Sequence, residues 1–262
     1  MRYNKRGRWE LMETAEKAQR PCKRLGIDLF ALHITAAALM LCGYLGGCIS
    51  GAEPLCALGR LAFPLLAFML TEGCAHTSHK GKYALRLLIF AFASEVPFNR
   101  VGDPMEQNVL WTLLLCLGML CILGSIRKLP YIALRLALYV AVIFVFYNAA
   151  LLLLVEYYGC GILTAALFYF TKTDEDAPKY RKVLQKLTQT VGMFIIFGIL
   201  MRGAVYELSI FGMEFEIYKQ TFAVLSLLLI WLYSGQKGRY NEIAQYVFYI
   251  SYPLMLCIVN FF

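Results

Sequence analysis

The amino-acid sequence predicts an all-α protein, a polytopic bundle of about nine transmembrane helices with its N-terminus in the cytoplasm. Three observations predict it. Of 262 residues, 60% are apolar and only 16% charged, where a soluble domain carries about a quarter charged residues. Apolar stretches recur along the whole chain, most of them 18 residues or longer, enough for a helix to span ~30 Å of hydrocarbon. The basic residues, finally, fall in alternate loops, as the orientation of membrane proteins requires.

Each element follows from this pattern. Residues 1–26 form a polar, basic N-terminal tail, and residues 27–262 form the membrane domain. Within that domain the apolar segments read about 27–50, 54–73, 83–98, 108–126, 130–150, 152–171, 187–206, 217–235 and 243–262. The third is short, which predicts tilting or local thinning of the bilayer. The run 130–172 is nearly continuous and long enough for two spans at 1.5 Å per residue. Its break falls at Asn148 or at Glu156-Tyr157-Tyr158-Gly159, and both sites fit. Placing alternate loops in the cytoplasm gathers 20 of the 25 basic residues there, eight of them in the tail. The opposite loops hold Glu53, Asp103, Glu106, Glu207, Glu214 and Glu216.

This distribution also excludes function classes. The net charge of +8 is not gathered on one soluble module, so nucleic acid is not an expected partner; the lipid bilayer is. Nine cysteines form no CxxC pair, the three histidines form no HExxH, and no metal is expected. Cys48 and Cys56 flank the first outer loop and are close enough in sequence to pair there on an oxidising side. A transporter would need a nucleotide motif or an acidic relay through several spans, and the sequence carries neither.

Ionisable residues at membrane depth mark function by default. Arg60 and Glu72 lie in the second segment, Arg86 and Glu95 in the third. Antiparallel packing of these two helices predicts an outer Arg60–Glu95 pair and an inner Glu72–Arg86 pair. The pairs either fix the hairpin or line a polar cavity reaching into the bilayer. At the inner boundary His76 is the candidate general base. Beside it Lys80, Lys82 and Arg86 form a cluster able to hold phosphates by charge-assisted bonds, or simply a positive-inside loop.

The segment Gly59-Arg60-Leu61-Ala62-Phe63-Pro64, then Glu72-Gly73, His76-Thr77, Lys82-Tyr83, Arg86-Leu87, Ser94-Glu95-Val96-Pro97-Phe98 and Gln107-Asn108-Val109-Leu110, resembles the TraX family. Weaker echoes fall at Tyr157-Tyr158-Gly159 and from Tyr249 to Leu256. TraX-like proteins are polytopic bacterial membrane proteins named for an F-pilin N-acetylase, and are grouped with the membrane-bound acyltransferases. The resemblance thus implies acyl transfer, with acyl-CoA (acetyl-CoA) as donor. The acceptor would be extracytoplasmic or membrane-bound: a peptide, a glycan or a lipid. It also implies a place in the bacterial cytoplasmic membrane. On this reading His76, Glu72 and Glu95 are the catalytic candidates, and Lys80, Lys82 and Arg86 hold the donor. Arg60, Gln107 and Asn108 line the substrate cavity. Where the family usually carries an Asp-His pair in its first span, this chain reads Gly43-Tyr44. Where the last span usually carries His, it reads Met255. A non-catalytic relative that binds a lipid or a membrane partner is the alternative.

Overall fold

The computed structural model describes residues 26–49, 51–102, 104–174, 176–201, 203, 205–210, 213–239 and 242–261. The basic tail expected over residues 1–26 therefore lies outside the described residues, Gly26 excepted. The described chain forms a helical membrane bundle. Its helices are α1 (Leu29–Cys48), α2 (Glu53–Gly59), α3 (Ala62–His76), α4 (Lys80–Val101), α5 (Val109–Ile126), α6 (Ile132–Leu152), α7 (Tyr158–Thr171), α8 (Lys179–Phe194), α9 (Ser226–Trp231) and α10 (Glu242–Val259). A π-helical turn, Ile195–Leu200, continues α8, and a 3-10 turn, Lys219–Leu225, leads into α9.

Helical structure occupies each of the nine apolar segments, with shifted ends. Five helical stretches have the length and composition to cross a membrane: Leu29–Cys48, Glu53–His76, Val109–Ile126, Ile132–Leu152 and Lys179–Leu200. The third segment lies within a longer helix. Lys80 and Lys82 begin α4 and Arg100 nearly ends it, so polar residues extend the apolar stretch to 22 residues. The segment expected over 217–235 is helical only from Lys219 to Trp231. Before it the chain forms an antiparallel hairpin, β1 (Val205–Ile210) with β2 (Met213–Tyr218), where a loop was expected. Cys48 and Cys56 are both free.

The two central helices are α3 and α5. Helix α3 packs on α1, α5, α7 and α9, while α4 packs on α5 and α10. The perimeter is apolar. Leu85, Ile89, Phe92 and Val96 on α4, Ile132, Leu136, Val140 and Phe144 on α6, and Ile243, Val247, Ile250 and Leu254 on α10 are all exposed. Such continuous stripes are foreign to a monomer in water, and suit a hydrocarbon solvent that needs only the backbone bonds satisfied internally. The start of α1 is clipped to the chain after α9: Ile27 N–H donates to the Leu232 carbonyl at 2.9 Å and Ser234 N–H to the Ile27 carbonyl at 2.9 Å.

The run 130–172 breaks after Leu152, not at Asn148, which stays helical with its amide donating to the Phe144 carbonyl. Three non-glycine residues of this break, Leu154, Tyr157 and Tyr158, have positive φ (49°, 66° and 45°). Left-handed backbone costs roughly 1–2 kcal/mol per residue, so the turn needs support. Gln107 gives it on both sides: its N–H donates to the Leu154 carbonyl at 2.9 Å, and Glu156 N–H donates to the Gln107 carbonyl at 2.8 Å. The Thr112 hydroxyl donates to the Glu156 carbonyl.

Candidate functional site

This pinned turn places Glu156 inside the bundle. Its carboxylate lies against the Tyr44 hydroxyl and the Val109 N–H at the start of α5, with Arg60 as the neighbouring positive charge and Glu106 as a second acid. Arg60, at the junction of α2 and α3, also reaches the Tyr157 hydroxyl. The Tyr157 ring stacks on Phe63, centroids 4.0 Å apart. One oxygen of Glu156, Oε2, is buried without a hydrogen-bond partner among the described residues. Buried polar atoms are nearly always paired, so a free carboxylate oxygen on a cavity wall points to a ligand.

That wall belongs to a polar chamber of about 120 Å³ bounded by Tyr44, Arg60, Phe63, Glu156 and Tyr157. A second chamber of about 100 Å³ adjoins it, sharing Met40 and Leu66. The second is mostly apolar, with His33, Tyr83, Gln245, Tyr249 and Tyr252 among its few polar groups, and Met255 on its wall. The two meet where the Tyr44 and Tyr252 hydroxyls stand 3.3 Å apart. Arg86 stands beside the apolar chamber, its guanidinium 5.9 Å from the ring centroids of both Tyr83 and Tyr249. Its Nε is buried with no partner among the described residues.

Neither ion pair expected between the second and third spans is among those formed by the described residues. Helices α3 and α4 each pack more extensively on α5 than on each other, and meet near their connection, where the Tyr83 ring lies against Gly73. Arg60 therefore meets Glu156 instead of Glu95, and Arg86 meets two tyrosines instead of Glu72. Glu95 Oε2 accepts from Asn108 Nδ2 and, at 3.1 Å, from Trp111 Nε1. Asn108 also donates to the Ala91 carbonyl at 2.9 Å and caps α5 by accepting from Leu110 N–H at 3.0 Å. Asn108 and Glu95 thus join α4 to α5, and neither lines the two chambers. Gln107 acts through its backbone, holding the turn before Tyr157.

Glu72 and His76 lie at the other end of α3. Glu72 pairs with Lys172 at 2.9 Å, and His76 Nε2 stands 3.5 Å from Glu72. Both line a cavity of about 420 Å³ with Lys182, Lys186 and Trp231. The His76 side chain is 69% exposed. Sixteen positions separate it from Arg60, roughly 24 Å along a helix, so His76 is out of reach of anything held at Arg60. Lys80 faces a further cavity on that same side, and Lys82 is exposed on the first turn of α4. Among the described residues no group of histidine, cysteine and acidic side chains is arranged to hold a metal.

Glu156, Tyr44 and Tyr252 are the residues that span-by-span reading underweights. Glu156 is the single acid in the apolar run 130–172, and an intramembrane acid is a functional signal in itself.

Apolar stripes around a buried Arg–Glu–Tyr cluster define a polytopic helical membrane protein with a polar site enclosed between its helices. Residues 28–261 match the family model described as TraX protein. The chain belongs to the TraX family. No match is found among curated proteins or among solved structures.

Proposed function

We propose that this TraX-family protein is an acyltransferase that moves an acetyl-sized group from acyl-CoA to an amine or hydroxyl acceptor, in the bacterial cytoplasmic membrane. The observation that carries the reading is the meeting of an apolar and a polar chamber at Tyr44 and Tyr252, with the unpartnered Glu156 carboxylate oxygen just beyond. These are the two spans in which the family resemblance places its histidines. The small volumes suit a short acyl group.

Arg86, with Lys82 nearby on the same helix, would bind donor phosphates near the basic face, and the thioester arm would enter the apolar chamber. The acceptor, a peptide, glycan or lipid headgroup, would reach the polar chamber from the opposite face. Glu156 takes the proton as the acceptor nitrogen or oxygen attacks the thioester carbon. The Tyr44 and Tyr252 hydroxyls would donate to the oxyanion that develops. The C–S bond then breaks, and the sulfur leaves as CoA thiol with the proton that Glu156 returns.

Labelled acetyl-CoA supplied to the purified protein with membrane extract as acceptor tests this. Glu156→Gln should slow transfer by about 100-fold or more, the usual contribution of a positioned base. Full activity in Glu156→Gln with loss in His76→Ala would move the chemistry to the basic face. The second reading, a non-catalytic relative that binds a lipid or partner in the same chambers, draws on Tyr44 and Met255 standing at histidine positions. It prevails if wild-type protein neither transfers the label nor binds CoA.

A further inference from the structure

The larger cavity that Lys80 faces is not used by the transfer just described. It measures about 750 Å³ and opens on the basic face, and none of its lining residues lines either chamber. Four cations from four parts of the chain converge on it: Lys80 from the start of α4, Arg127 after α5, Arg135 from the first turn of α6, and Lys172 after α7. Asp174 is the acid on its wall, and Lys172 is already engaged by Glu72. Among the described residues no carboxylate forms an ion pair with Lys80, Arg127 or Arg135. The Tyr169 hydroxyl, on a residue of the same wall, is buried without a hydrogen-bond partner among the described residues. Uncompensated cations around a polar floor are the chemistry that recognises phosphate, and arginine does so in a bidentate manner.

The remaining walls say which phosphate. Leu136 and Phe170 line the cavity, both exposed. Leu136 belongs to the stripe Ile132, Leu136, Val140, Phe144 that runs along the lipid-facing side of α6. A ligand in this cavity therefore has cations at one end and a continuous apolar track at the other. A soluble nucleotide would leave that track uncovered, whereas a lipid would place its headgroup among the cations and its chains along α6. Anionic headgroups are attracted to basic clusters at this level of the bilayer. We propose that this cavity binds the phosphate headgroup of an anionic membrane lipid, independently of the acyl-transfer reading.

Native mass spectrometry of the delipidated full-length protein, titrated with phosphatidylglycerol and separately with phosphatidylcholine, tests the site. Wild type should retain phosphatidylglycerol preferentially. Arg127→Gln with Arg135→Gln should weaken that binding by about tenfold or more, and the matching pair of Lys substitutions should weaken it less. Gly124→Leu crowds the Lys80 side of the cavity with all charges kept, since a Cβ at 124 meets only the Lys80 ammonium, at 4.0 Å. It should weaken the preference in a protein that folds normally. Equal phosphatidylglycerol binding in wild type, the double Gln variant and Gly124→Leu overturns the proposal. So does one-for-one displacement of the lipid by CoA, which would make the cavity a nucleotide site.

Discussion

Gly43 and Gly59 let α1 and α2 touch backbone to backbone. A Cβ on Gly43 would meet Gly59 Cα at 2.9 Å, and one on Gly59 would meet Gly43 Cα at 2.3 Å. An aspartate at 43 therefore cannot be accommodated without separating the helices. Gly43→Ala alone should destabilise by about 1–3 kcal/mol, the ordinary cost of overpacking, and Gly43→Asp by more. Thermal unfolding in detergent reads this, and an unchanged midpoint for Gly43→Asp would refute the close crossing. Asn108 makes a second residue-level prediction. Its side chain caps α5, bonds the Ala91 carbonyl and holds Glu95. Loss of the cap costs about 1 kcal/mol, and each buried partner left unpaired adds about 1–3 kcal/mol. Asn108→Ala should thus lower stability severely, whereas a residue that only lines a substrate cavity would lower activity and leave the midpoint in place.

The turn between α6 and α7 shows what one element hides from its own sequence. Hydropathy over 130–172 demands two spans and offers two breaks, but Asn148 bonds back to its own helix and leaves no gap. The real break is built by residues far away in sequence. Gln107 and Thr112 hold it through backbone carbonyls, a role that no pattern within 130–172 reveals. Leu154 carries part of the left-handed strain with its side chain partly exposed at the bundle surface. Leu154→Gly should therefore stabilise the protein by about 1 kcal/mol without moving Glu156. The midpoint should rise, and transfer activity should stay within the wild-type range. A fall in the midpoint would mean that the leucine's packing outweighs its backbone strain.

Across the whole molecule, composition made the class and the nine segments legible, because a 3 nm hydrocarbon layer dictates segment length directly. Neighbour relations were not legible. The second and third spans were expected to pair along their length, yet α3 and α4 pack chiefly on α5, so Arg60 and Arg86 meet partners other than the expected carboxylates. What charge does predict is the sidedness. Lys80, Arg127, Lys128, Lys172 and Lys179 all stand where helices begin or end on one face, and the chain between α1 and α2 stands on the other. The positive-inside rule puts the basic face in the cytoplasm, the compartment that holds acyl-CoA. Cys48 ends α1 on the opposite face and is exposed, while Lys128 is exposed on the basic face. In a variant whose other eight cysteines are serine, a membrane-impermeant maleimide should label Cys48 on intact cells. With Cys48→Ser added, Lys128→Cys should label only after permeabilisation. The reverse pattern would turn the whole molecule over, carrying Arg86 to the side without acyl-CoA, and acyl transfer in the proposed direction would then lack a donor.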